Sequence, residues 1–201
     1  MNSAKKLYLA SSNSGKLNEF SAIAAEVHST IEPALLPGFS EIAAFPEDAP
    51  TFAENAVGKV LHAAAITDEA VCADDSGLVV PVLGGPGVHS ARYAGQNATS
   101  AQNIEKLLHA LAARKGKERE AYFICALAVA KSGRVVAVIT NRADGIILET
   151  PSGSGGFGYD PVFYFPPMGK TFAQLSSAEK NLHSHRGKAF RRLLEVLPRM
   201  L

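Results

Sequence analysis

The sequence reads as an α/β protein. Short apolar, strand-like runs alternate with segments whose apolar residues recur at helical spacing, and no internal repeat or low-complexity tract interrupts them. A length of 201 residues suits one domain, or two small lobes sharing a cleft. With 47% hydrophobic residues the chain has enough core-forming material to fold without disulfide or structural metal, and it is too apolar to be disordered.

Each element has a local reason. Leu7 to Ala10 is a short buried strand running into the polar loop Ser11 to Lys16. A helix follows, with Leu17, Phe20, Ile23, Ala24 and Val27 on one face. Ile31 to Leu36 forms a second strand, closed by Pro37-Gly38, and Glu41 to Pro50 is acidic and turn-rich. Thr51-Phe52-Ala53-Glu54 is a capping box opening a helix to Ile66. Val71 to Ala73 is a short strand ending in the turn-like Asp74-Asp75-Ser76-Gly77, and Leu78 to Leu83 is another strand, broken by Pro81. Gly84 to Gly87 is irregular. Ile104, Leu107, Leu108, Leu111 and Ala112 mark an amphipathic helix, followed by the polar stretch Arg114 to Glu120. Tyr122 to Ala130 and Val135 to Thr140 are strands joined by the hairpin signal Lys131-Ser132-Gly133, with Gly145 to Leu148 a further strand. Ser152 to Gly158 is glycine-rich loop, Ser176 to Glu179 caps a short helix, and the last helix runs from Gly187 to Leu197.

Charge narrows the function. Lys and Arg number 20 against 19 Asp and Glu, a net +1, which argues against gripping a long polyanion but permits a compact nucleotide pocket. The longest apolar run, Ala121 to Ala130, is strand-length and falls short of the ~18 residues a membrane span needs. Met1 to Lys6 carries positive charge without the apolar stretch of a leader, so a cytoplasmic protein is expected. Cys72 and Cys125 lie in apolar surroundings and read as buried free thiols.

Four constellations carry chemistry. Ser11, Ser12, Asn13, Ser14, Gly15 and Lys16 lie between a strand and a helix, where backbone N–H groups converge and bind phosphate. Leu17 follows Lys16, so this is no Walker A loop, and a plain turn with Asn13 or Ser14 as N-cap fits as well. Asp74-Asp75-Ser76-Gly77 offers hard oxygen ligands of the kind Mg²⁺ takes, or else a tight turn. Gly153 to Pro161, with four glycines and the aromatics Phe157 and Tyr159, lets backbone approach a ligand and a ring stack on a base. Lys180, Arg186, Lys188, Arg191 and Arg192 form a basic stretch with His183 and His185 among them. Phosphate loop, Mg²⁺-type acids, base pocket and cationic donors are together the parts of a nucleoside-triphosphate hydrolase.

Six segments occur in order: Ala10 to Lys16, Thr51 to Ala56, Ala73 to Leu78, Pro86 to Tyr93, Gly156 to Pro161 and Ser184 to Gly187. Together they resemble the inosine/xanthosine triphosphate pyrophosphatases, over nearly the whole chain from Leu7 to Leu197. The resemblance implies an elongated mixed sheet flanked by helices, with two lobes about a central cleft in a single domain, and usually a homodimer. It implies Mg²⁺-dependent hydrolysis of ITP, dITP and XTP to monophosphate and pyrophosphate. By the same likeness Ser11 to Lys16 hold phosphates, Asp75 is metal ligand and general base, and Ser76 touches substrate. Phe157, Gly158, Tyr159 and Asp160 line the nucleoside pocket, and Lys180, His185 and Arg186 complete the substrate contacts. Where relatives have paired acids before the helix, this chain reads Pro46-Glu47-Asp48, and Glu47 is taken as second metal ligand.

Base choice has a physical reading. Hypoxanthine and xanthine present a 6-oxo acceptor and adenine a 6-amino donor, and Arg186 only donates. Aimed at position 6, Arg186 favours the oxo purines. The alternatives are a nucleotide sensor without turnover, a pyrophosphatase of other base preference, and a nucleic-acid-binding domain, which the net charge of +1 disfavours.

Overall fold

The computed structural model describes residues 5–200. Residues 1–4, part of the stretch read as lacking a leader, lie outside them. The fold is α/β, with a mixed sheet flanked by helices. Its strands are β1 (Lys5–Leu9), β2 (Ile31–Leu35), β3 (Val71–Val80), β4 (Gly85–Pro86), β5 (Glu120–Lys131), β6 (Arg134–Ile147), β7 (Phe163–Phe165) and β8 (Lys170–Thr171). The helices are α1 (Ser14–Glu26), α2 (Phe52–Ala63), α3 (Ser100–Ala110), α4 (Ser177–His183) and α5 (His185–Val196). Strand order is β2-β1-β3-β5-β6-β7-β8, with β4 antiparallel to β3.

The chain divides into two compact units. The first comprises Met1–Asp75, Cys125–Asn141 and Arg186–Leu201; the second comprises Ser76–Ile124 and Arg142–His185.

In the first unit β1 lies between β2 and β3 and is parallel to both. The connections leaving β1 and β2 therefore fall on either side of β1, and its carboxyl end is a topological switch point, where α/β sheets bind ligands. Strand alternation builds a layer on each face. Leu7, Leu9, Cys72, Cys125 and Leu127 face α1 and α5, against Phe20, Ile23, Phe190 and Leu193. Ala10, Val71, Ala73, Ala126 and Ala128 face α2, against Ala56, Val60 and Ala63. Small side chains on this second face let α2 approach the sheet closely. The Phe20 and Phe190 rings stack at 4.2 Å, joining α1 to α5.

In the second unit Phe163, Phe165 and Phe172 pack with Leu78, Leu107, Leu111 and Ile147. Arg119, in the polar stretch read over Arg114 to Glu120, is buried. It donates to the carbonyls of Leu111 (2.8 Å), Ile147 (2.7 Å), Leu148 (2.8 Å) and Arg114 (3.3 Å). One guanidinium thus satisfies the carboxyl end of α3 and the end of β6 together.

Several boundaries differ from expectation. Asp74 and Asp75 do not end a short strand: β3 runs unbroken from Val71 to Val80, absorbing the expected turn and part of the strand placed over Leu78 to Leu83. It stops where Pro81, lacking an N–H, opens a 3₁₀ turn. Gly145 to Leu148 is no separate strand, because β6 continues to Ile147. The final helix begins at His185, two residues earlier than read. The hairpin is as expected: Ser132 and Gly133 take φ of 48° and 69°, the paired positive values that match strand twist.

Candidate active site

At the switch point β1 passes into the loop before α1. Asn13 is the N-cap; its Oδ1 accepts from the N–H groups of Gly15 (2.8 Å) and Lys16 (3.3 Å). A Cβ at Gly15 would stand 3.0 Å from that oxygen, a tight contact to which the Asn13 side chain would have to yield. The Ser11 hydroxyl accepts from Asn13 N at 3.1 Å. The loop thus has the N-cap geometry of a plain turn, and the amides of Gly15 and Lys16, expected to face phosphate, are occupied by Asn13. Ser12 and Ser14 are exposed.

Register carries the chain from there to the acids. Leu9 pairs with Cys72, so Asp74 lies just beyond the end of β1, beside the loop. Lys16 Nζ donates to Asp74 Oδ1 at 2.6 Å. Arg186 Nε approaches Asp74 Oδ2 at 3.4 Å, and Arg186 Nη1 donates to Glu19 Oε2 at 3.2 Å. Burial by itself pushes the Asp74 carboxyl up, but the charges of Lys16, Arg186 and Lys59 outweigh it and hold the carboxyl well below the usual carboxylate range. The same acids push the Arg186 guanidinium up against its burial. Arg186, expected to read a purine base, is held here by two carboxylates in a charge cluster.

Asp75 points the other way. Consecutive strand residues face opposite sides, so Asp74 meets α1 and α5 while Asp75 meets α2. Asn55 Nδ2 donates to Asp75 Oδ2 at 2.9 Å. The two acids are therefore not a carboxylate pair sharing one site, as their adjacency in sequence implied. On the α2 side Lys59 Nζ donates to the Asp74 main-chain oxygen at 3.0 Å and pairs with Glu47. A cavity of about 330 Å³ is lined by Ser11, Ser12, Lys16, Phe45, Glu47 and Lys59, among others. A larger hollow of about 590 Å³ in the second unit is lined by Ala94, Ala98, Gln102, Glu105, Lys106 and His109, among others, and contains none of the residues of the four constellations.

A divalent cation has a fitting donor set here. Among the described residues no three His, Cys, Asp or Glu side chains cluster to hold a metal by themselves. Asp74 is held between two cations, Lys16 and Arg186, whereas Asp75 accepts from the neutral Asn55 amide and Glu47 pairs with Lys59, so Asp75 and Glu47 are the carboxylates that would hold a cation. One or two carboxylates completed by substrate phosphates is the ligation hard cations such as Mg²⁺ favour.

In the second unit the glycine-rich loop is folded about Asp160. Its Oδ2 accepts from Phe157 N at 2.8 Å and from Lys180. Gly156 has φ of 73°, and a Cβ there would stand 2.1 Å from Asp160 Oδ2, so only glycine fits. Phe157 is 61% exposed, with Lys180 Nζ 4.4 Å from its ring centre. Gly158 takes φ of 61° beside it. Tyr159 departs from its expected place at the surface of a pocket. Its ring is in the core, its hydroxyl donates to the Ser90 carbonyl at 2.8 Å, and burial pushes its pKa up. His185 is buried and stacks on Phe123 at 4.8 Å. Ser76 is half-buried on β3.

Reading by motif missed Glu19, Asn55 and Lys59. Glu19 follows Lys16 by one helical turn on α1. Asn55 shares the buried face of α2 with the small apolar stripe and Lys59 lies beside it, and a polar amide on that face was the available signal.

A family model described as the Ham1 family matches residues 7–196. The chain is 50% identical over 192 residues to a dITP/XTP pyrophosphatase of Geobacillus kaustophilus, covering 95% of this chain and 93% of the relative. It is 48% identical over 189 residues to a dITP/XTP pyrophosphatase of Gloeobacter violaceus, covering 94% and 92%. Its structure is similar to that of a HAM1 protein from Coxiella burnetii, with a TM-score of 0.86 at 39% identity, covering 97% of this chain and 99% of that one.

Proposed function

The chain belongs to the Ham1 family, and from that membership we propose that it hydrolyses the deaminated purine nucleoside triphosphates ITP, dITP and XTP to monophosphate and pyrophosphate, with Mg²⁺. The observation that carries the reading is the grouping of Lys16, Lys59, Asp75 and Glu47 about the carboxyl end of β1 in a chain half identical to a dITP/XTP pyrophosphatase.

The chemistry follows from charge. A triphosphate carries about four negative charges, and its attack by water requires that charge to be offset. Lys16 and Lys59 donate to phosphate oxygens, with the Ser11 and Ser12 hydroxyls beside them. Asp75 and Glu47 hold the metal, which when bound supplies further neutralisation of the polyphosphate. Water attacks the α-phosphorus; its oxygen forms the new P–O bond while the α–β bridging bond breaks and pyrophosphate departs. Asp75, its Oδ2 fixed by Asn55, orients that water and takes its proton. Asp74 touches no reacting atom; it sets the positions of Lys16 and Arg186. In the second unit Phe157, exposed under the Lys180 ammonium, offers a ring face for the purine, and Asp160, Gly158 and the buried Tyr159 hold that loop in shape. Lys180, His185 and Arg186 remain the assigned donors to substrate. With the family reading go a homodimer and a cytoplasmic location. No described helix is long and apolar enough to cross a membrane.

The test is pyrophosphate release with Mg²⁺ across ITP, XTP, GTP, ATP and dUTP. ITP and XTP turn over fastest, and Asp75→Asn lowers kcat by ~10²–10⁴-fold. A flat panel, or no turnover of any triphosphate, refutes the reading.

A further inference from the structure

The geometry points to Asn55 as the positioning residue that sets the Asp75 carboxylate and the Glu47-bearing segment 42–50 in one register. This inference rests on the reading above.

Asn55 is fully buried, 0% exposed, on the α2 face that carries Ala56, Val60 and Ala63 against the sheet. An amide in such a place is expensive unless both its ends are bonded. Both are. Its Oδ1 accepts from Ala49 N at 3.0 Å, and its Nδ2 donates to Asp75 Oδ2 at 2.9 Å. The orientation is forced: an N–H can only donate, so Oδ1 faces Ala49 and the NH₂ group faces the carboxylate. One rigid carboxamide thus ties the segment to β3.

The tie is repeated one turn along α2. Lys59, four residues on, pairs with Glu47 of the segment and donates to the Asp74 main-chain oxygen of β3 at 3.0 Å. Between them lies Gly58, where a Cβ would stand 2.3 Å from the Phe45 ring, so the segment packs directly on helix backbone. His62 completes the row with a 2.8 Å contact to the Ala43 carbonyl. Residues 55, 58, 59 and 62 form one face of a helix, and the segment lies along it from Ala49 back to Ala43. Asn55 reaches the side chain of Asp75 itself. Its amide is neutral, so it orients that carboxylate without cancelling the charge the metal and the attacking water require.

The test separates the two ends of the amide. Asn55→Asp keeps an acceptor for Ala49 N but turns an oxygen toward Asp75, whereas Asn55→Ala removes both bonds. With Mg²⁺ and ITP, each variant loses ~100-fold in kcat while KM stays within about threefold. Amide hydrogen exchange, read by NMR without metal or nucleotide, shows Ala49 protected in the unsubstituted chain and in Asn55→Asp, and exposed in Asn55→Ala. Folded variants with kcat within about threefold of the parent, or a loss confined to KM, overturn the inference. So does an Ala49 amide in the parent that exchanges as fast as an open loop. If both variants fail to fold, the parent's Ala49 exchange decides alone. A parent that releases no pyrophosphate from ITP sinks the functional reading instead, and the exchange result still tests the tether.

Discussion

Replacing Asp74 with Asn removes a charge while preserving shape. Asp74 is 7% exposed and receives Lys16 at 2.6 Å and Arg186 at 3.4 Å. Breaking a buried ion pair by removing one partner costs ~3–5 kcal/mol, chiefly from the charge left behind. Three features place this case at the lower end. Asn retains a carbonyl oxygen for Lys16; the Lys16 side chain is 26% exposed and reaches water; and Arg186 keeps Glu19 at 3.2 Å. The expected loss is about 3 kcal/mol. At about 2–4 °C per kcal/mol for a chain of this size, Tm falls by about 6–12 °C. Calorimetry measures it, and pH supplies a second signature. Folding lowers the Asp74 pKa, so in the window below about pH 4 the native state binds fewer protons than the unfolded chain. That stabilisation is complete above the window and disappears as pH falls through it; the Asn variant lacks this contribution to the acid-side slope. Adding Glu19→Gln strips Arg186 of its other carboxylate, so the double variant loses more than the two single losses summed. A Tm shift under about 2 °C, an unchanged acid slope, or strict additivity refutes the cluster as a coupled unit.

Arg186→Ala leaves Asp74 and Glu19 without their shared cation, so it lowers Tm; if Arg186 also donates to a 6-oxo group, the ratio of ITP to ATP turnover narrows, and an unchanged ratio removes it from base choice. Burial pushes the Cys72 and Cys125 thiols up, and the Asp74 charge adds to this, so neither reacts with dithionitrobenzoate until the protein unfolds; stoichiometric labelling of the native chain contradicts their placement. Arg119→Met strands the carbonyls of Leu111, Ile147 and Leu148 in the second unit and costs about 3 kcal/mol, read by chemical denaturation; a loss under about 1 kcal/mol shows those carbonyls finding other donors.

What the sequence made legible was local. The Thr51 N-cap, the Asn13 cap and the Ser132-Gly133 turn depend on residues within a few positions of one another and form as read, although the Glu54 carboxylate takes the Thr51 hydroxyl and the box expected there is only half made. Asp74-Asp75 was misplaced for the converse reason. Two acids before Ser-Gly favour a turn unless distant partners receive them inside a strand, and here those partners are Lys16 and Arg186, 58 and 112 positions away, and Asn55, 20 away. The same distance hid Glu19, whose value lies in Arg186 on another helix. Tyr159 shows the limit of a motif: glycines and aromatics marked the loop, but only packing decided that Phe157 is exposed and Tyr159 is not.

The alternation along β3 has a sharp consequence for change in this chain. Neighbouring carboxylates serve different masters because a pleat sends them to opposite layers, so a single-residue insertion or deletion upstream in the strand would not weaken the machinery by degrees. A deletion would bring Asp75 to the cations of α1 and α5 and leave Ser76 at the amide of α2, whereas an insertion would put Asp74 at that amide and Ala73 beside the cations. Point substitutions can tune either side separately, whereas a shift of one gives one layer the other's carboxylate and leaves the opposite layer with none at its own position.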